Sequence, residues 1–155
     1  MINRLKALFE SGSSQTTHRR TDEVQLAAAA LLVEAARLDG HISPDEQKVI
    51  VRILKASFHL DSEEADYLLS QAIETAGESN QLYGFTRTLK DRLDAEERIQ
   101  IIEMLWQVAY ADGVLHDFEA SLMRRVCGLL YVNDRDGGLA RQRVLQRLGL
   151  AAGPS

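Results

Sequence analysis

The chain has 155 residues, of which 45% are hydrophobic and 26% charged, with two prolines, ten glycines and a formal net charge of −5. That length suffices for one domain with its own core, that composition excludes disorder of the whole chain, and no window approaches the roughly 18 uninterrupted apolar residues of a membrane-spanning helix. Charge is unevenly spread: residues 1–20 carry four bases and one acid, residues 120–155 six arginines and two acids, and residues 21–119 eight bases against twenty acids, so the middle of the chain repels nucleic-acid phosphates and attracts cations or basic surfaces.

Helical periodicity runs through almost the whole sequence and strand-like alternation through almost none of it. The expected fold class is therefore all-α, a single bundle of seven to eight helices. Residues 1–20 read as a short amphipathic helix followed by a polar, flexible linker. Ile2, Leu5 and Phe9 share one face with Leu8 beside them, and Arg4 and Lys6 face anionic headgroups if that helix meets a membrane; a partner or its own domain is the other surface for it. Residues 1–10 lack the apolar core and small-residue cleavage site of a secretory signal. The single cysteine, Cys127, cannot pair within the chain and lies in an apolar run, where it reads as a buried small hydrophobe. A reducing, cytoplasmic setting is the expectation.

Residues 21–150 are the expected domain and residues 151–155 a tail. Thr21, followed by Asp22 and Glu23, reads as the N-cap of a helix running to about Leu38, apolar almost all round from Leu26 to Val33 and so destined for the centre of a bundle. Asp39-Gly40 stops it, glycine taking the left-handed conformation that ends helices. Ser43-Pro44-Asp45-Glu46 starts the next, with serine as N-cap, proline in the first turn and glutamate completing a capping box. Further helices are expected over residues 61–76 and 81–93, then from an Asp94-x-x-Glu97 start through a second nearly all-apolar stretch, residues 99–109, stopped by Asp112-Gly113. Two more are expected, over residues 117–131 and 138–148.

The two apolar helices and the turns that end them are related by an offset of 73 residues. Ala36, Asp39, Gly40, Ile42 and Glu46 align with Ala109, Asp112, Gly113, Leu115 and Glu119; Leu26 matches Ile99 upstream, and Ile53 with Val126 and Phe58 with Tyr131 match downstream. Two copies of one helix-turn-helix unit can pack face to face about a pseudo-two-fold axis, each burying the apolar side of the other.

This doublet, Ala-x-x-Asp-Gly-x-aliphatic-x-x-x-Glu with apolar helices before and after, resembles the tellurite-resistance TerB-like family over about residues 21–150. The resemblance implies an all-helical, internally duplicated fold, a cytoplasmic or membrane-peripheral place in a bacterial cell, a divalent-cation interaction through the acidic turns, and association with other stress-response proteins. It brings no established catalytic activity.

The turns themselves match the later half of a calcium loop, with aspartate at position five, glycine at six, an aliphatic at eight and glutamate at twelve. The earlier half is missing, because positions one and three fall on Ala35 and Arg37 in the first copy and on Val108 and Tyr110 in the second. Neither turn alone should hold calcium tightly. A shared site remains open if the repeats bring Asp39, Glu46, Asp112 and Glu119 together, with Asp45, Asp117, His41 and His116 beside them as a second rank; calcium, magnesium or manganese would suit the carboxylates, and the histidines would draw zinc. The competing reading is structural: Asp-Gly closes a helix, the aliphatic plugs the core and glutamate caps the next helix.

No phosphate-binding loop, Gly-x-Ser-x-Gly elbow, His-Glu-x-x-His or Cys-x-x-Cys occurs. The expectation is a non-enzymatic binding or adaptor module with a protein partner in a metal or envelope stress response. The alternative is a metal-dependent hydrolase using the clustered carboxylates. Arg124, Arg125, Arg135, Arg141, Arg143 and Arg147 form the best case for nucleic acid, but at helical spacing and without interleaved aromatics they read as a solvated face. The sequence leaves the oligomeric state open.

Overall fold

Along the chain the computed structural model describes the backbone of residues 15–37, 42–76, 81–111 and 117–149. Seven helices and no strand occur among them: α1 (Gln15–Ala36), α2 (Pro44–Phe58), α3 (Ser62–Ala76), α4 (Gln81–Arg92), α5 (Ala95–Ala109), α6 (Asp117–Leu129) and α7 (Asp134–Arg147). The all-α expectation holds. The segment carrying Ile2, Leu5, Leu8 and Phe9 lies outside the described residues.

α1 is the hub, packing against α2, α3, α4, α5 and α6. Its sequence explains how one helix can touch five: Ala27, Ala28, Ala29 and Ala30 are all buried, and such small side chains let neighbouring helices approach from several directions, while Leu31, Leu32 and Val33 fill the spaces between them. α5 is the second central element, against α1, α2, α6 and α7, and buries Ile101, Ile102, Met104 and Leu105 in the same core. Leu54 from α2, Leu89 from α4, and Met123 and Val126 from α6 complete it. No described helix is long and apolar enough to cross a membrane.

One boundary differs from expectation at the front of the chain. α1 begins at Gln15, so Thr21 stands inside the helix and six residues assigned to the linker are helical. Polar composition alone does not break a helix; glycine and proline do, and none occurs between Gln15 and Ala36.

Most other helix starts follow side-chain chemistry visible in the sequence. Ser43 Oγ accepts from the Glu46 N–H at 3.2 Å while Glu46 Oε1 accepts from the Ser43 N–H at 3.0 Å. Asp61 with Glu64, at 2.8 and 2.9 Å, and Asp94 with Glu97, both at 2.9 Å, make the same reciprocal pair. Each satisfies amides that a helix start leaves without partners.

α2 and α6 end alike, on a left-handed residue followed by an aliphatic one. His59 (φ 57°) precedes Leu60, whose N–H donates to Lys55 O at 3.3 Å; Tyr131 (φ 58°) precedes Val132, whose N–H donates to Cys127 O at 2.9 Å. This six-to-one closure is the Schellman arrangement, made here without glycine. An Asx cap follows in both, Asp61 for α3 and Asn133 for α7.

Helix boundaries therefore recur. α1 and α5 end at Ala36 and Ala109, and α2 and α6 start at Pro44 and Asp117, both pairs 73 apart; the left-handed residue, the aliphatic and the Asx cap recur 72 apart. α3 lies on α1 and α7 on α5, but α3 also packs on α2, whereas α7 makes little contact with α6. The one-residue slip separates Phe58 from Tyr131, which the sequence alignment paired: Phe58 is 2% exposed in the core and Tyr131 is 73% exposed at the left-handed position.

Candidate functional site

The first acidic corner is framed by the end of α1 and the start of α2. The Arg37 N–H donates to Val33 O at 3.0 Å, extending the last turn, and the Arg37 guanidinium pairs with Glu34 at 3.0 Å along the helix. On the far side, Glu46 is half-buried and gives one carboxylate oxygen to the Ser43 amide, so it performs the capping role, with its second oxygen still able to accept. Asp45 is exposed beside it. Asp39 and His41 lie outside the described residues.

The second corner starts from α5, whose final turn tightens: the Tyr110 N–H donates to Trp106 O at 3.0 Å and the Ala111 N–H to Val108 O at 3.2 Å. Asp112 and His116 lie outside the described residues. Asp117 and Glu119 stand in the first turn of α6, with side chains outside the description. Of the four foremost ligand candidates only the side chain of Glu46 is described, and the described residues hold no group of three or more His, Cys, Asp or Glu that could grip a metal.

Behind the second corner is a polar cluster that the sequence reading did not assign. Arg141 of α7 donates from Nε to the Tyr110 hydroxyl at 2.7 Å, and its guanidinium carbon lies 5.6 Å from the Tyr110 ring centre and 5.7 Å from that of Trp106. The two rings stack at 5.7 Å. One helical turn earlier on α5, Glu103, with 12% of its side chain exposed, accepts from Arg143 Nε at 2.8 Å through one carboxylate oxygen and from Arg147 at 2.9 Å through the other. Three of the six arginines expected to form a solvated face are thus turned onto α5, because a carboxylate and two rings there offer a charged and a π partner. The i, i+4 spacings of Trp106 with Tyr110 and of Arg143 with Arg147 were the available signal; which helix they face is set by packing.

Cys127, half-buried in α6, is no reactive centre. Burial, with the Asp134 carboxylate adding to it, pushes its thiol up to about 11 from an ordinary 9.0, which leaves almost no thiolate at neutral pH.

Neither a comparison with curated proteins nor one with solved structures finds a match for this chain. The family profile described as tellurite resistance protein TerB, in contrast, matches residues 25–142. That span runs from the first apolar turns of α1 into α7 and takes in both corners and both central helices. The chain belongs to the TerB tellurite-resistance family.

Proposed function

We propose that this TerB-family chain is a non-enzymatic binding module whose two acidic corners hold one divalent cation between them and present it to a protein partner, in a metal or envelope stress response. The observation that carries the reading is the recurrence of the corners. Both connections have the same length, both follow an alanine that ends a central helix, and both place Asp-Gly at the same step, with Asp39 three residues beyond Ala36 and Asp112 three beyond Ala109. α1 and α5 pack directly on each other, so both corners leave helices of one core. Hard cations need several oxygens, and one half-loop supplies too few. Glu46 Oε2, which accepts from no group among the described residues, could serve a shared site, and the capping bond through Oε1 orients that carboxylate.

Calorimetric titration of calcium, magnesium, manganese and zinc into the protein tests the proposal. Binding heat is expected for calcium, magnesium or manganese, and its loss is expected in both Asp39→Ala and Asp112→Ala. No heat with any ion would leave the corners as helix stops and caps alone. A phosphatase and phosphodiesterase screen of the ion-loaded protein should be blank; turnover that disappears in both variants would overturn the non-enzymatic part.

A further inference from the structure

A cavity of about 750 Å³ opens between α2 and α3. Its floor is apolar, made by Val51, Leu60 and Leu69, and its rim is cationic, made by Lys48, Arg52 and Lys55 of α2, with Asp66 of α3 as the one acid. Lys48, Val51, Arg52 and Lys55 recur at three- and four-residue steps and so line one side of the helix. Together with Pro44 they extend the groove along α2 for about 16 Å, or three helical turns.

The cations on that rim are largely uncommitted. Among the described residues Lys48 and Arg52 are exposed and make no ion pair, and Lys55 makes none either, donating to the Ser62 hydroxyl at 2.9 Å. This stands against the acidic middle of the chain in which α2 lies, where acids outnumber bases twenty to eight. A face that gathers three bases around an apolar floor is a local positive patch on a chain of net negative charge, and it selects for negative charge in whatever fills it. The chain's own first ten residues, with two bases and one acid, are the wrong sign to fill it.

We propose that the α2–α3 groove docks an acidic amphipathic helix of a partner protein, its aliphatic side chains on Val51, Leu60 and Leu69 and its carboxylates on Lys48 and Arg52. A groove three turns long with an apolar floor and a charged edge is the geometry by which amphipathic helices are recognised. The proposal deepens the partner-binding reading but needs neither acidic corner nor a cation.

The test is fluorescence anisotropy of a labelled synthetic peptide of about 14 residues, with leucines at i, i+3, i+4 and i+7 and glutamates elsewhere, titrated with the full chain in the presence of a chelator. The chelator separates this outcome from the cation titration. Binding is expected to weaken as salt rises and to fall at least about tenfold in Lys48→Glu/Arg52→Glu, two exposed changes whose folding is checked by circular dichroism. Val51→Asp should weaken binding as well, while Arg135→Glu, far along the sequence on α7, should leave it unchanged. Equal binding of a scrambled peptide of the same charge, unchanged binding by the double variant, or no binding at all would overturn the proposal. So would vesicles of phosphatidylglycerol that sediment the wild-type protein but not the double variant while the peptide fails to bind, since that pattern identifies an anionic membrane as the occupant.

Discussion

Glu103 shows how a charge can sit against the core without instability. Its two oxygens each accept from an arginine, and those arginines remain 39% and 47% exposed, so only one end of the network is removed from water. Glu103→Ala is expected to lower the unfolding free energy by about 1–2 kcal/mol in urea titrations, the range for hydrogen bonds to charged groups whose partners can still reach water. An unchanged midpoint would mean that Arg143 and Arg147 add nothing to the docking of α7. Cys127 gives a second prediction. Its neutral form is favoured in the fold, so the unfolded chain ionises first as pH rises; stability is unaffected below pH 9.0 and is drawn down between there and about 11. Alkylation of the native protein at pH 8 should run about a hundredfold slower than in denaturant, following the smaller thiolate fraction. Equal rates would place the thiol in water.

At the level of helices, most caps and extents were legible in the sequence, and the starts of α1 and α7 were not. Ser43, Asp61 and Asp94 each precede a glutamate by three residues, and each forms the reciprocal bond that pattern implies. Ser43→Ala should cost about 1 kcal/mol, the usual worth of a cap, measured as a fall in thermal midpoint; no fall would show that Pro44 alone fixes the start of α2. The start of α7 was misjudged by four residues because Asp136-Gly137-Gly138 reads as a break. Two tertiary facts explain those glycines' place inside a helix. Asn133 caps the Asp136 amide at 2.8 Å, and a side-chain carbon at Gly137 would meet Cys127 Sγ at 3.3 Å. Gly138 has open space around it. Gly138→Ala should therefore stabilise by about 0.5–1 kcal/mol, and Gly137→Ala by clearly less or not at all. Equal gains at both positions would show that α6 and α7 are free to separate there.

Taken as a whole, the molecule is built on α1 and α5, which the sequence announced by being apolar on nearly every side; helices of that kind have no water-facing edge and must be surrounded. The recurrence of Ala36, Asp39 and Gly40 at Ala109, Asp112 and Gly113 is likewise a property of the sequence alone. The likeness between the starts of α3 and α7 was not legible, because it consists of a preceding Schellman closure and an Asx cap rather than an apolar pattern. Nor was the Arg141–Tyr110–Trp106 stack, which depends on α7 crossing α5. A binding site formed by two loops is the hardest case for a sequence, because each contributes half a ligand set and only tertiary packing unites them. Counting bound ions by native mass spectrometry tests that union most directly. One divalent ion per chain, with none retained by either Asp39→Ala or Asp112→Ala alone, is the predicted result; two ions per chain, or one ion kept by each single variant, would contradict a site that the two corners share.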